Sequence, residues 1–201
     1  MKTVIIFHGT GSSPNRNWFP WLKKQLESQG YRVIIPQFPH PKRQFVTALI
    51  KRFIPQLPSS SFEDWMKTLE EYKQYINKDT VLIGHSLGGL FLLRLLERLD
   101  DPINSAIFVS TSIGIKPITF YNNDYSFSRG FHFDWHKIRQ NAGSFVVFHS
   151  DNDNTVSFKN GEQLAKDLRV KLDIIPNKGH LNSKSGYTKC LEILEKIEKL
   201  R

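Results

Sequence analysis

The sequence has very little cysteine and no long apolar run. Cys190 is the single cysteine among 201 residues, so no disulfide can form within the chain. No apolar run approaches the ~20 residues that cross a bilayer. Only the stretch from Val4 to Phe7 precedes the polar His8, too short for the apolar core of a signal peptide. We therefore expect a cytoplasmic protein with no export signal and no integral membrane association.

Acidic residues are also in the minority. The chain has 28 Lys and Arg against 19 Asp and Glu, a formal net charge of +9. The basic residues are spread over several segments, notably 42–52, 166–171 and 184–201, and no nucleic-acid-binding motif accompanies them. We interpret them as solvated helix faces and expect no nucleic-acid partner.

Apolar residues make up 39% of the chain and include 15 Phe and 4 Trp. At this length that content is enough to bury one sizeable core. So many aromatic side chains also argue against disorder, because their burial offsets the entropy cost of ordering the chain. We expect a single globular domain over residues 1–201.

Short β-branched apolar runs alternate with segments of helical periodicity. The runs predict about six buried strands, at Thr3–His8, Arg32–Phe38, Thr80–His85, Ser105–Ser110, Ser144–His149 and Lys171–Pro176. The segments between them predict helices at Trp18–Gln29, Ser61–Ile76, Leu87–Leu99, Phe158–Leu168 and Lys184–Leu200. This alternation is typical of the α/β class, with a mostly parallel sheet and helices on both faces.

Two long stretches interrupt the alternation. Residues 39–60 surround a basic amphipathic piece, Lys42 to Ile54, and residues 111–136 are rich in Gly, Asn and aromatic residues. Insertions of this length act as lids or binding loops, or simply cover the surface, and both interpretations stay open. We expect Lys42–Ile54 to form an entrance or surface helix rather than a membrane anchor, because no second anchoring signal accompanies it.

The segment Gly84–Gly89 reads Gly-His-Ser-Leu-Gly-Gly and lies between an apolar strand and a helix. This strand-turn-helix context is required of a nucleophile elbow, in which a serine sits on a strained turn. A Cβ two residues to either side would collide with the adjacent strand or helix, and Gly84 and Gly88 avoid that collision. We therefore predict Ser86 as a catalytic nucleophile.

A serine nucleophile needs a general base and an acid behind that base. His180 follows the last predicted strand, and Asp151 and Asp153 follow the strand before it. We favour Asp153 as the acid and leave Asp151 as the alternative. Singly these residues would suit a structural histidine and a helix cap, but the chain order Ser, Asp, His matches the α/β-hydrolase order.

The loop after the first strand reads His-Gly-Thr-Gly-Ser-Ser over residues 8–13, which resembles a phosphate-binding loop. A dinucleotide site would need a third glycine near Pro14, and none is present. In a hydrolase the backbone N–H of Thr10 would help to hold an oxyanion, together with the N–H of Leu87. The alternative is that the loop is only a tight turn.

These residues resemble the small serine hydrolases of the retinoblastoma-binding-protein-9 and YdeN type over nearly the whole chain. The resemblance rests on the His8-Gly9 loop, the turn at Ser86, the Lys178–His180 segment and three Trp-bearing segments, which read Asn-Trp-Phe-Pro-Trp-Leu over 17–22, Glu-Asp-Trp over 63–65 and Phe-Asp-Trp over 133–135. It implies a compact α/β-hydrolase fold and a Ser86, Asp153 and His180 triad. Residues 42–58 are longer and more basic than the resemblance implies.

The function that the sequence predicts is metal-free and cofactor-free hydrolysis of small-molecule carboxylic esters, or thioesters, through an acyl-enzyme on Ser86. One alternative is a binding protein that keeps the fold and uses its aromatic loops to hold a protein or ligand. Another is that Lys42–Ile54 lays the enzyme on anionic lipid, which would make lipids its substrates. Acyl-chain length and oligomeric state do not follow from the sequence.

Overall fold

A six-stranded, all-parallel sheet lies at the centre of the computed structural model, which describes residues 2–39, 61–118 and 125–200. The strands are β1 Thr3–Phe7, β2 Arg32–Ile34, β3 Thr80–His85, β4 Ile103–Val109, β5 Ala142–His149 and β6 Leu172–Ile174. They lie in the order β2-β1-β3-β4-β5-β6, and every neighbouring pair is parallel. The predicted α/β class and strand number are confirmed.

The two outermost strands are shorter than predicted. β2 stops at Ile34 rather than Phe38, and β6 covers only Leu172–Ile174 of the predicted Lys171–Pro176. Each edge strand has a single partner, and Pro36 and Pro176 have no N–H to donate to a ladder.

Seven helices belong to the described residues, and they cover both faces of the sheet. They are α1 Phe19–Ser28, α2 Phe62–Glu70, α3 Leu87–Leu96, α4 Tyr125–Ser128, α5 Trp135–Gln140, α6 Lys159–Leu168 and α7 Leu191–Lys199. Alternate residues of β1 point to opposite faces, so Val4 and Ile6 pack with α1 and α7, and Ile5 and Phe7 pack with α2 and α3. Helices on both faces are therefore confirmed.

Helix α2 begins where the sequence predicted and ends earlier. The Ser61 side chain accepts a hydrogen bond from the backbone N–H of Asp64, and the Asp64 carboxylate accepts one from the N–H of Ser61, which forms a capping box. The helix ends at Glu70 instead of Ile76, and a 3₁₀ turn at Lys73–Tyr75 follows.

The predicted helix Lys184–Leu200 is wrong over its first part. A 3₁₀ turn occupies Ser183–Ser185 and ends at Gly186, whose φ of 75° is left-handed and stops helix propagation. The helix begins only at Leu191. The polar segment after His180 therefore belongs to a loop at the carboxyl end of the sheet.

The first of the two predicted insertions lies almost entirely outside the described residues, because 40–60, including Lys42–Ile54, are not among them. Of the second insertion, 111–118 and 125–136 are described and contain α4. No helix in the described ranges combines the length and the apolarity needed to cross a membrane.

Candidate active site

Ser86 occupies a sharp turn between β3 and α3. Its φ of 56° and ψ of −119° fall in a region that residues with a side chain rarely adopt. The backbone N–H of Ser86 donates to the carbonyl oxygen of Val109 over 2.9 Å, which ties the turn to the neighbouring strand β4. The serine side chain is thereby held at the carboxyl end of the sheet, at the start of a helix.

The glycines on either side of Ser86 are required by close packing. A Cβ built at Gly88 would lie 2.1 Å from the carbonyl oxygen of Phe7 in β1, and one at Gly84 would lie 2.5 Å from the carbonyl oxygen of Gly88. Both contacts are backbone contacts, so no side chain can move away to relieve them. The predicted steric requirement for small residues here agrees with the packing.

The structure brings Ser86, His180 and Asp153 together in the predicted order. Nε2 of His180 lies 3.0 Å from Oγ of Ser86, and Nδ1 lies 2.8 Å from Oδ2 of Asp153. The three side chains follow β3, β6 and β5, whose carboxyl ends meet at one edge of the parallel sheet. His180 and Asp153 are buried, and Ser86 is partly exposed.

Asp153 is surrounded by donors. Its Oδ1 accepts hydrogen bonds from the backbone N–H groups of Thr155 and Val156 at 2.8 and 3.0 Å, and its Oδ2 faces His180 and His149. Burial alone would raise the pKa of this carboxyl, but the hydrogen bonds from His149, His180 and the backbone outweigh burial and hold the pKa well below its usual range. The carboxylate therefore stays ionised at neutral pH.

Asp151, the alternative acid, points elsewhere. It is exposed, and its Oδ1 accepts a hydrogen bond from the backbone N–H of Asn177 at 2.8 Å. Two neighbours act in the same way, since Oγ of Ser150 accepts from the N–H of Lys178 and Oδ1 of Asn152 accepts from the N–H of Gly179. The side chains of residues 150–152 thus accept hydrogen bonds from three consecutive backbone N–H groups, those of residues 177–179, directly before His180.

His149 is a neighbour of Asp153 that the sequence reasoning missed. This fully buried histidine ends β5, and its Nε2 lies 3.0 Å from the carbonyl oxygen of Val156 and 3.4 Å from Oδ2 of Asp153. Both neighbours are acceptors, so Nε2 carries the proton and donates. Nδ1 is then a buried acceptor with no partner among the described residues. His149 was visible in the sequence only as an apolar-strand residue.

His85 is a second histidine that the sequence reasoning did not single out. Its Nε2 donates a hydrogen bond to the backbone carbonyl oxygen of His180 over 3.0 Å. Burial lowers the pKa of His85 to about 3, and the nearby His180 ring acts in the same direction. The residue before Ser86 is therefore a neutral donor that supports the loop carrying His180.

Trp18, which directly precedes α1, supports the same loop. Its indole Nε1 donates to the carbonyl oxygen of Leu181 over 3.0 Å, and both residues are fully buried. The hydrogen bond joins residues 163 positions apart in the chain. The Trp-bearing segment that contributed to the family resemblance therefore contacts the residue directly after His180.

The loop after β1 passes close above Ser86. A Cβ built at Gly9 would lie 3.0 Å from Cβ of Ser86, and exposed Thr10 lines the same cavity as Ser86. Buried His8 anchors the loop, because its Nδ1 donates to the carbonyl oxygen of Gly9 and its Nε2 accepts from the N–H of Phe38. The loop also contains a turn, closed by the N–H of Ser12 on the carbonyl of Gly9.

Two backbone N–H groups near Ser86 have no backbone acceptor among the described residues. Leu87 is the first residue of α3, and the first N–H groups of a helix have no intrahelical acceptor. The N–H of Thr10 has no backbone acceptor in the described part of the chain. Both predicted donors therefore lie at the cavity that contains Ser86.

The cavity at Ser86 has a volume of about 430 Å³, in the range of small-molecule sites. Buried Arg94 holds one side of it, because its guanidinium donates to the carbonyl oxygens of Phe127, Ser128 and His132, close to the lining residue Phe131. Within residues 2–39, 61–118 and 125–200, no group of three or more His, Cys, Asp or Glu side chains is arranged to hold a metal ion.

Comparison with known proteins gives consistent results. The family model described as serine hydrolase matches residues 4–199. The chain is 32% identical over 189 residues to the putative hydrolase YdeN of Bacillus subtilis, covering 93% of this chain and 90% of YdeN. It is 24% identical over 184 residues to the serine hydrolase RBBP9 of Rattus norvegicus, covering 90% and 88% of the two chains.

The solved structure of the YdeN protein from Bacillus subtilis superposes with a TM-score of 0.81 at 28% identity. That comparison covers 100% of this chain and 98% of the other. The resemblance inferred from the sequence motifs is therefore confirmed by both sequence and fold.

Proposed function

The chain belongs to the serine hydrolase family, and we propose that it cleaves small-molecule carboxylic esters through an acyl-enzyme on Ser86. Ser86, His180 and Asp153 are the catalytic triad of this proposal, and the turn at Ser86 is its nucleophile elbow. Thioesters are alternative substrates, because attack on their carbonyl follows the same steps. We place the protein in a reducing compartment such as the cytoplasm, and the buried free thiol of Cys190 is consistent with that location.

The observation that carries the proposal is the chain of contacts from Ser86 through His180 to Asp153. Asp153 is an ionised acceptor, so it takes a hydrogen bond from Nδ1–H of His180 across 2.8 Å. Neutral His180 then has no proton on Nε2, and that nitrogen can accept the proton of the Ser86 hydroxyl 3.0 Å away. The geometry suits a general base next to a nucleophile.

Acylation follows from this arrangement. Oγ of Ser86 attacks the ester carbonyl as Nε2 of His180 takes its proton, and the negative charge on the carbonyl oxygen develops next to the N–H groups of Leu87 and Thr10. The imidazolium, stabilised by Asp153, then returns the proton to the leaving alcohol oxygen as the carbon–oxygen bond breaks. The product at this point is an ester between the acyl group and Ser86.

Deacylation repeats the sequence with water. His180 removes a proton from a water molecule, whose oxygen attacks the acyl carbon, and the same two N–H groups face the new oxyanion. The proton returns to Oγ of Ser86 as the acid leaves. Each residue therefore acts in both steps, and water is the only co-reactant that the proposed chemistry uses.

Labelling with a fluorophosphonate probe tests the nucleophile, because only an activated serine reacts. We expect labelling of the wild type, loss of labelling in Ser86→Ala, and unchanged labelling in Ser110→Ala. Ser110 is a matched control, since it also follows a strand with a positive φ, of 48°, and its buried Oγ has no partner in the described ranges. Labelling that survives Ser86→Ala would contradict the assignment.

A panel of 4-nitrophenyl esters with different acyl lengths tests the reaction. We expect turnover by the wild type with a burst of nitrophenol equal to the amount of enzyme when deacylation is slower than acylation. Tight binding of an ester without release of nitrophenol, combined with no fluorophosphonate labelling, would instead favour the binding-protein alternative.

A further inference from the structure

We propose that the natural substrate carries a negatively charged group, such as a carboxylate, on its leaving-group side, and that Arg16 and Lys184 bind it. This inference rests on the proposed ester hydrolysis at Ser86. The cavity, the hydrogen bonds that shape it and the distribution of charge around it support the assignment.

The cavity at Ser86 has two chemically different sides. One side comes from α3 and the segments after β4 and β5 and is mostly apolar; Leu87, Leu90, Ile118, Phe131 and Val156 line it together with Ser112, Ser128 and Thr155. The other side is polar and comes from the loops after β1 and β6; we call it the cationic wall, and its members are Arg16, Asn17, Ser183 and Lys184. No Asp or Glu is among the described residues that line the cavity.

Asn17 joins the two loops of the cationic wall. Its Oδ1 accepts hydrogen bonds from the backbone N–H and from Oγ of Ser183, both at 3.1 Å, and its Nδ2 donates to Oγ of Ser12 over 3.3 Å. Asn17 has a φ of 56°, a conformation that asparagine tolerates better than most residues. We call these hydrogen bonds between Asn17 and Ser183 the clamp. Arg16 directly precedes Asn17 and Lys184 directly follows Ser183, so the clamp brings two cations to one wall.

In the described part of the chain, neither cation of the wall forms an ion pair with a carboxylate. Some exposed basic residues elsewhere in that part are paired, for example Lys23 with Glu27 and Arg98 with Glu63, and others, such as Lys171, are not. Among the residues that the structure describes, Arg16 and Lys184 take part in no ion pair. Two unpaired like charges on one wall create a positive potential, which favours an anionic ligand.

The position of His180 determines which half of an ester meets this wall. His180 must hand its proton to the leaving oxygen, so the leaving group has to lie on the His180 side of the attacked carbon. The loop that carries His180 continues directly into Ser183 and Lys184 of the cationic wall. The charged group therefore belongs to the alcohol half, and the acyl half faces the apolar side.

Matched chromogenic esters test this assignment. The first, 4-nitrophenyl butyrate, is neutral; the second, 3-carboxy-4-nitrophenyl butyrate, adds a carboxylate to the leaving group; the third, mono-4-nitrophenyl glutarate, carries a carboxylate on the acyl chain. The measured quantity is the kcat/KM of each charged ester divided by that of the neutral ester in the same preparation. Comparing this ratio between variants cancels differences in chemical reactivity and in the amount of active enzyme.

We expect the ratio for the leaving-group carboxylate to fall about threefold in Arg16→Gln and in Lys184→Gln, as an exposed charge contact implies. The double variant should lower the ratio further than either single variant does. Lys171→Gln is the matched control, because it removes one exposed lysine directly before β6, outside the cavity lining, and should leave the ratio unchanged. Raising the salt concentration to ~0.5 M should lower the wild-type ratio and leave the double variant nearly unaffected.

The outcomes separate this inference from the proposed function. Hydrolysis of the neutral ester with the same leaving-group ratio in the wild type and the double variant would overturn the inference and leave the esterase proposal intact. An effect confined to the glutarate ester would overturn the assignment to the leaving-group side. Absence of turnover on all three esters, together with no fluorophosphonate labelling, would overturn both proposals.

Discussion

Nε2 of His85 donates a hydrogen bond to the backbone carbonyl oxygen of His180 over 3.0 Å. His85 is the last residue of β3 and directly precedes Ser86, so this bond joins the strand before the proposed nucleophile to the loop of the proposed base. The two imidazole rings lie 5.1 Å apart between centroids. The distance between Oγ of Ser86 and Nε2 of His180 therefore depends on a neighbour that has no proposed part in the chemistry.

Asp153→Asn should reduce kcat by a factor on the order of 10⁴. The two backbone N–H groups that bond to Oδ1 hold the amide oxygen at that position, so the amide NH2 faces Nδ1 of His180 and donates to it. His180 then takes the wrong tautomer and its imidazolium loses stabilisation. Asp151→Asn is the matched control and should stay within about tenfold of the wild type, because the Asp151 carboxylate contacts only the loop backbone at Asn177. Ester kinetics on preparations with equal melting temperatures give the comparison.

The opposite ranking would refute the choice of acid. A strongly impaired Asp151→Asn beside a nearly normal Asp153→Asn would assign the acid to Asp151, and it would leave Ser86 and His180 as proposed.

His149→Phe should lower kcat on the order of tenfold and leave KM nearly unchanged. The substitution keeps a ring of similar shape in the buried site but removes the Nε2–H donor that faces Val156 and Asp153, so the carboxylate is held less firmly. His136→Phe, on an exposed position of α5, is the control. A fall in thermal stability with unchanged kcat would show that His149 only packs.

The stability of the folded chain should depend on pH through His85. Burial holds the pKa of His85 at about 3, whereas a histidine in an unfolded chain titrates near ~6.5. Between these values the unfolded chain binds a proton that the folded chain does not, so the free energy of unfolding falls as the pH falls through this window. Above ~6.5 the group is neutral in both states and has no effect.

Urea unfolding between about pH 4 and pH 7 measures the contribution of His85 to the free energy of unfolding. We expect the wild type to lose stability on acidification more steeply than His85→Gln, by on the order of 1 kcal/mol per pH unit in the middle of the window. Comparing the two proteins removes the contributions of the other histidines. Parallel curves for the two proteins would mean that His85 takes up a proton in the folded state.

Trp18→Phe should destabilise the fold by ~1–3 kcal/mol and also lower kcat. The change leaves the buried carbonyl oxygen of Leu181 without its indole donor, and Leu181 directly follows His180. Trp21→Phe is the control, because Trp21 is partly exposed and makes no indole hydrogen bond in the described residues. Equal losses in both variants would indicate that ring volume matters more than the hydrogen bond.

The sequence by itself determined the parallel sheet, both of its packed faces and the turn at Ser86. These features are local: β-branched runs favour buried strands, helical periodicity predicts the intervening helices, and Gly84 and Gly88 mark a turn where a Cβ has no room. The prediction that Lys184–Leu200 is one helix was wrong because the left-handed backbone at Gly186 outweighed the apolar pattern around it.

Only the tertiary structure decided which loops touch one another at the carboxyl ends of the strands. The contact of His149 with Asp153, the bond from Trp18 to Leu181 and the clamp of Asn17 on Ser183 leave no periodic mark in the sequence. Asn17 and Ser183 are 166 positions apart, and three strands separate β1 from β6. They meet because the loop after β6 crosses the carboxyl ends of the strands to reach the cavity at Ser86. A sequence pattern over a few residues indicates the local backbone conformation and which side chains are buried. Contacts between loops that are distant in sequence depend instead on how the strands are ordered and connected in the fold.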